Sequence, residues 1–370
     1  MVTIAAAITS NLRPLRIVLP GGSGHVGQVL ARHFTERGHQ VTVLTRGPYT
    51  AQWQTVHWDG ENIGSWTEYL EGADVCINLA GRSVNCRYDM ANRQAIYESR
   101  ISSTRLLGKV ISGLSEPPRV WLNASAATIY RRAMDDDGVD LAVDEKCALG
   151  GDELAVEISE EQPSGTKAPA DSIALMYGLK PVPFTENTTE RWAERRGFSA
   201  RVARDWEAVF VAAETPRTRK VALRSAVVLS PAAGSAFAVL SNLVRLGLGG
   251  RQGNGRQFVC WIHEADYARA VEFLIEHEEL DGPVNLAAPN PLTNREFMAA
   301  LRWAWDVPNG LPAPSLAIKL GALILRTEPE LVLQSCRAVP GRLLEAGFKF
   351  EFPDWAEAAE DLVRQWRNKE

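Results

Sequence analysis

The chain has 370 residues, a formal charge of −5 and 45% hydrophobic residues, enough for roughly two domains' worth of core. No apolar run approaches the roughly 20 residues of a membrane helix, the stretch 2–9 lacks the basic flank of a secretory signal, and no basic stripe with interleaved aromatics suggests a nucleic-acid surface. Five scattered cysteines (Cys76, Cys86, Cys147, Cys260, Cys336) without a CxxC pair predict neither a disulfide framework nor a zinc site and fit a reducing cytoplasm.

Residues 16–20 read as an apolar strand, followed by Gly21-Gly22-Ser23-Gly24-His25-Val26-Gly27 and a helix with Val26, Val29, Leu30 and Phe34 on one face. Gly38 ends that helix, and 40–44 alternate as a second strand, so the opening is a parallel βαβ unit. Strands follow at 55–58, 74–79 and 119–123, separated by helices near 65–70 and 90–114. This order predicts an α/β fold built on a Rossmann-type doubly wound parallel sheet. After Tyr130 the periodicity stops. Residues 134–190 hold fourteen acids against three lysines, a net −11 that leaves the rest of the chain at +6. So long and acidic a segment reads as a lid or a disordered insertion.

Order resumes with a helix over 188–213, a strand over 221–229, a helix over 236–246, a glycine-rich turn over 247–255 and a strand over 259–262. Beyond Asn290 the chain is mainly helical, with a hairpin-like stretch at 348–352. A last helix follows Asp354 as N-cap, and its apolar residues Trp355, Ala358, Ala359, Leu362 and Trp366 recur at core spacing. The expected division is a nucleotide-binding domain over 14–235, carrying the insertion, and a smaller, mainly helical region over 236–370 on the substrate side, with chain crossings between them.

Gly21, Gly24 and Gly27 stand between a strand and a helix, the context a dinucleotide fingerprint requires. They serve the tight turn, close approach of the diphosphate and helix–strand packing, with the anion at the helix N-terminus. Gly22, Ser23, His25 and Val26 complete that loop. An NAD site would carry an acid about twenty residues on, whereas this chain has Thr45-Arg46, which suits the 2′-phosphate of NADP(H); the bland alternative is a plain turn and a solvent-facing arginine. Leu79, Ala80 and Gly81 end the fourth strand against the same site.

The G-x-x-G-x-x-G spacing, the strand end 78–81 and the serine-bearing strand end at Ser125 resemble the extended short-chain dehydrogenase/reductase superfamily. That resemblance implies a Tyr-x-x-x-Lys pair acting as acid and base beside the nicotinamide, with an upstream Ser or Thr. None of the seven tyrosines has a lysine four residues on. With Glu207 aligned to the superfamily's glutamate, Ser199 and Ala203 occupy the tyrosine and lysine positions, and Ala126 stands where the serine is expected, with Ser125 one place early. A phenol needs a neighbouring cation to act as a base near neutrality, and Arg201 and Arg204 cannot give up a proton.

The motifs WDG (58–60), INLAG (77–81), NRxxIxxSR (92–100), ASAATIY (124–130), WE (206–207), LRSAVVL (223–229), GLGG (247–250), WIHxxD (261–266), GPVNLAAPNPLTNREF (282–297) and VPGRLLEAGFKF (339–350) are similar to an atypical branch, the YfcH-type sugar-nucleotide epimerase family. The acidic insertion and the run 334–337, where a lysine-serine-arginine run is expected, depart from it. The resemblance implies NADP(H) binding by an epimerase or oxidoreductase acting on a sugar nucleotide or another carbonyl or hydroxyl small molecule. The alternative is a catalytically silent NADP(H)-binding sensor or scaffold. Tyr130, Ser125 and His263 are candidates to handle the proton. Arg87 and Tyr88, with Arg93 and Arg100 on the next helix, are candidates to clamp an anionic substrate, or are surface charge. Arg224 and residues 253–255 stand, by resemblance, near a nucleotide-sugar pocket. No metal, nucleic-acid or membrane partner is expected, and monomer and homodimer both remain open.

Overall fold

The computed structural model describes residues 13–47, 50–130, 139–149, 197–318 and 328–369. Strands β1 (Arg16–Pro20) and β2 (Gln40–Thr45) flank helix α1 (His25–Glu36), whose Val29, Leu30, Ala31 and Phe34 are buried at the spacing of one helical face. β3 (Gln54–His57) and β4 (Val75–Asn78) follow, with a single 3-10 turn (Ser65–Tyr69) where a helix near 65–70 is expected. Helix α2 (Met90–Gly113) is capped by Asp89, whose carboxylate accepts the Asn92 N–H at 2.8 Å. It leads to β5 (Val120–Ala126), which ends three residues later than its apolar run suggests, as Ser125 near its end faces a polar partner. Most of the acidic insertion, and the expected helix start over 188–196, lie outside the described residues. Helix α3 (Phe198–Ala212) and β6 (Arg219–Ser225) follow.

The strand expected over 221–229 is two strands. After Ser225 the Ala226 N–H crosses to Leu286 O at 2.9 Å, and β7 (Val227–Leu229) turns out of the main sheet. Helix α4 (Ala236–Arg245) follows. The strand over 259–262 is split in the same way into β8 (Phe258–Val259) and β9 (Trp261–His263), with β9 pairing parallel to β7. Helix α5 (Glu264–Glu276) leads to β10 (Gly282–Leu286), which returns to the main sheet beside β6. The sheet thus has seven parallel strands in the order β10-β6-β5-β4-β1-β2-β3, and takes its seventh strand from beyond residue 235, a segment whose strand character the sequence reading missed. Strand order reverses between β1 and β4, so their carboxyl ends form the crevice in which such sheets bind ligands.

Short strand β11 (Leu292–Thr293) pairs with β8, and Thr293 and Glu296 form a capping box at the start of α6 (Asn294–Ala304). Helices α7 (Gly341–Glu345) and α8 (Trp355–Arg367) close the chain. Residues 348–352 form no hairpin: the Glu351 and Phe352 N–H groups both donate at 2.8 Å to the buried Asp266 carboxylate, which stands in for a partner strand. Asp354 occupies the N-cap position of α8, but its carboxylate accepts from Asn290 Nδ2 instead of a helix N–H. Trp355 stacks on Phe297 at 4.1 Å and donates to its carbonyl. Among the described residues no helix is long and apolar enough to cross a membrane.

Because Trp355 is 2% exposed, Trp355→Ala is expected to cost about 3–5 kcal/mol in urea unfolding, with no change in the nucleotide affinity of the folded variant. A loss of nucleotide binding in a variant of wild-type stability would instead make the stripe a ligand wall.

Candidate active site

At the end of β1, Gly21 turns with φ 76°, and a Cβ there would stand 2.6 Å from Ala80 Cα. The Gly21 N–H donates to Leu44 O at 2.9 Å and the Leu79 N–H to Pro20 O at 2.8 Å, so the turn is sewn to both β2 and β4. A Cβ on Gly27 would lie 2.3 Å from Gly22 O; only glycine lets α1 close onto the strand end. No side chain caps the start of α1 at Gly24, which leaves the positive end of the helix available to an anion. Thr45 Oγ1 donates to Ser23 Oγ at 3.0 Å, and Arg46 lies exposed immediately beyond β2. The candidate cofactor residues Gly21 through Gly27, Arg46, Leu79, Ala80 and Gly81 are therefore gathered at one sheet edge.

Asn78 sets the shape of the β4 end. Its Oδ1 accepts the Ala80 N–H at 3.1 Å while its Nδ2 donates to Asn123 Oδ1 at 2.7 Å. His25, at the first position of α1, places Nε2 2.5 Å from the Oγ of Ser230, which follows β7. Burial, helped by Arg32, holds this imidazole below its ordinary 6.5.

Ser125 donates to Glu207 Oε1 at 2.5 Å. Glu207 in turn takes a two-point contact from Arg224, Nε to Oε1 at 2.9 Å and Nη2 to Oε2 at 2.7 Å. The two residues are 3% and 2% exposed. Arg224 Nη1 donates to the Tyr130 hydroxyl at 3.0 Å, and that hydroxyl donates to Asn285 Oδ1 at 2.5 Å. Arg224, expected beside a substrate pocket, is instead the cation of a buried ion pair with its guanidinium committed to protein acceptors. Burial, only partly offset by Arg224, pushes the Tyr130 phenol above its ordinary value, the wrong direction for proton exchange near neutrality.

His263 also departs from the cleft. Its Nδ1 accepts the Ala265 N–H at 3.1 Å, capping α5; its Nε2 lies 3.2 Å from Asp361 Oδ2, and its ring stacks on Phe352 at 4.0 Å. Tyr88 is buried against Phe198 with ring centroids 5.2 Å apart, whereas neighbouring Arg87 is exposed, so the expected Arg87–Tyr88 clamp is divided between core and solvent. Residues that sequence reasoning missed are Ser230, Asn285 and Glu145, whose Oε1 accepts the Asn285 N–H at 2.8 Å. The one visible signal was an asparagine inside the otherwise apolar GPVNL.

Glu207→Gln leaves Arg224 buried without its counter-charge and is expected to cost about 3–5 kcal/mol in urea unfolding; a loss near zero would mean that water solvates the pair. The unfolded chain protonates His25 near 6.5, above its folded value. Its contribution is therefore complete above about pH 6.5 and is lost as pH falls through the lowered folded pKa. Melting curves of His25→Asn are expected to show a shallower pH dependence across this window than wild type, and parallel profiles would exclude the effect.

Residues 17–145 match the NAD dependent epimerase/dehydratase family, and residues 313–362 match a domain of unknown function, DUF1731. The chain is 28% identical over 353 residues to epimerase family protein SDR39U1 of Bos taurus, covering 94% of this chain and all of that one. It is 29% identical over 344 residues to epimerase family protein MT2273 of Mycobacterium tuberculosis, covering 92% and 95% of the two chains. The crystal structure of human epimerase family protein SDR39U1 (isoform 2) with NADPH superposes with a TM-score of 0.73 at 26% identity, covering 95% of this chain and 99% of that one. The glycine turn, the strand order and matches along nearly its whole length agree in making the chain similar to the epimerase family proteins, with the NAD dependent epimerase/dehydratase model matching its first part.

Proposed function

We propose that the chain binds NADP(H) across the carboxyl ends of β1, β2 and β4 and acts as an epimerase or oxidoreductase on a hydroxyl or carbonyl carbon of a small molecule, with sugar nucleotides among the candidates. The observation that carries this reading is Arg46, exposed at the end of β2 where an NAD site would hold an acid, beside a glycine turn closed against Ala80 and Gly22. NADPH in the human relative's crystal supports it. When bound, the nicotinamide would accept or supply a hydride.

In this reading the residues Gly22 to Gly27 hold the diphosphate at the helix start, Arg46 takes the 2′-phosphate, and the backbone of Leu79, Ala80 and Gly81 lines the opposite wall. Ser125 is the strand-end hydroxyl whose own hydrogen is held by the Glu207 carboxylate, so its oxygen accepts a hydrogen bond from a substrate hydroxyl and orients that group for reaction. Residues 14–235 bind the nucleotide and 236–370 form the substrate side, lending β10 to the sheet. A second reading, a silent NADP(H)-responsive sensor or scaffold, is favoured by the Tyr130 hydroxyl being held between Arg224 and Asn285.

Calorimetric titration is expected to give tighter binding of NADPH than NADH, by about tenfold or more, with Arg46→Ala erasing the difference; if neither nucleotide binds, this reading falls. Ser125→Ala is expected to lower turnover by about a hundredfold. Nucleotide-dependent shape changes without turnover of any carbonyl or hydroxyl substrate would favour the silent reading.

A further inference from the structure

Arg100 lies on α2 directly over the end of β4. Its Cζ would stand 3.2 Å from a Cβ placed on Gly81, and it sits 5.2 Å from the centre of the Trp206 ring. Trp206 is itself fixed by donating Nε1 to Thr104 Oγ1 at 2.7 Å. One amino group, Nη1, donates to Arg82 O at 3.1 Å and Ile96 O at 2.9 Å. Nε and Nη2, the edge that matches a two-oxygen acceptor, meet no protein acceptor among the described residues.

Nor does any carboxylate pair with this cation among the described residues. The nearby acids are engaged elsewhere: Asp89 with the start of α2, Glu98 with Gln94 at 2.8 Å, and Glu328 with the Tyr88 N–H at 3.1 Å. The neighbouring arginines differ, since Arg93 spends Nε on Tyr88 O at 2.6 Å and Arg82 spends Nη2 on Asn92 Oδ1 at 2.7 Å. Burial lowers the Arg100 guanidinium to about 10. The side chain is half-buried, and neither Nε nor Nη2 is among the buried polar atoms without a partner, so with its guanidinium carbon against Gly81 the Nε–Nη2 edge stays accessible to an anion.

We propose that Arg100 is the oxyanion-binding residue of the cleft, receiving a phosphate or carboxylate on its Nε–Nη2 edge beside Gly81. The proposal rests on the reading that this edge of the sheet binds ligands. Two sources carry the same chemistry: the diphosphate of the dinucleotide passing the β4 end, and an acidic group on the substrate.

The test uses the full chain as wild type, Arg100→Gln and Arg100→Lys, with NADPH titrations and with thermal melts in inorganic phosphate, both with and without saturating NADPH. If the dinucleotide is the source, Arg100→Gln weakens NADPH about tenfold or more, and phosphate has no effect on the loaded wild type. If the substrate is the source, NADPH affinity is unchanged, while phosphate raises the melting midpoint of loaded wild type but not of loaded Arg100→Gln. Arg100→Lys, which keeps the charge but loses the fork, shows the same loss in part, and it decides the matter if Arg100→Gln fails to fold. Should wild type bind no NADPH yet respond to phosphate through Arg100, the cofactor reading fails and the anion site stands. A folded variant whose NADPH affinity and phosphate response both match wild type, or a wild type that responds to neither ligand, overturns the proposal.

Discussion

Glu207 and Arg224 can be buried only together, and much of the candidate site is arranged around that pair. The carboxylate comes from α3 and the guanidinium from β6. Ser125 of β5 leans on one partner and Tyr130 on the other. From Tyr130 the network runs to Asn285 of β10, whose Nδ2 donates to Val339 O at 2.8 Å. The Asn285 N–H goes to Glu145, which also accepts the Arg342 N–H at 3.2 Å. Chain segments from three sheet strands, one helix, the acidic segment's stem and the loop before α7 are thereby fixed to one another. The position of the Ser125 hydroxyl is set by this scaffold before any ligand arrives.

The same network differs in kind from a Tyr-x-x-x-Lys pair. A lysine beside a tyrosine makes a titrating couple, whereas an arginine in a two-point contact holds its charge at every accessible pH. Arg224 fixes Glu207 and Tyr130 in place. In the proposed chemistry Ser125 orients the substrate oxygen, and the Glu207–Arg224 pair exchanges no proton.

The first βαβ unit was legible because apolar period and glycine spacing agree there, and the turn at Gly21 to Gly27 forms where both place it. Local pattern did not reveal β10: five residues with a glycine, a proline and an asparagine carry little strand signal, and pairing with β6 decides their conformation. Arg224 shows the same limit in the site. An arginine in an apolar strand can face a ligand or a buried carboxylate, and only the packing of α3, which brings Glu207 beneath it, separates the two. His263 in its conspicuous motif turned out to cap α5 and pack on Phe352, a role written into the tertiary contact and not into the spacing.

The late origin of β10 also shapes how the protein is made. As the ribosome extends the chain, β1 to β6 emerge well before residues 282–286, so a nascent chain reaching residue 235 presents β6 as a bare edge with Val221, Ala222 and Leu223 beside unpaired backbone groups. Such an edge is a template for pairing with other chains. Synthesis must add nearly fifty further residues before the edge is covered, which makes translation speed and chaperone access in that interval determinants of yield.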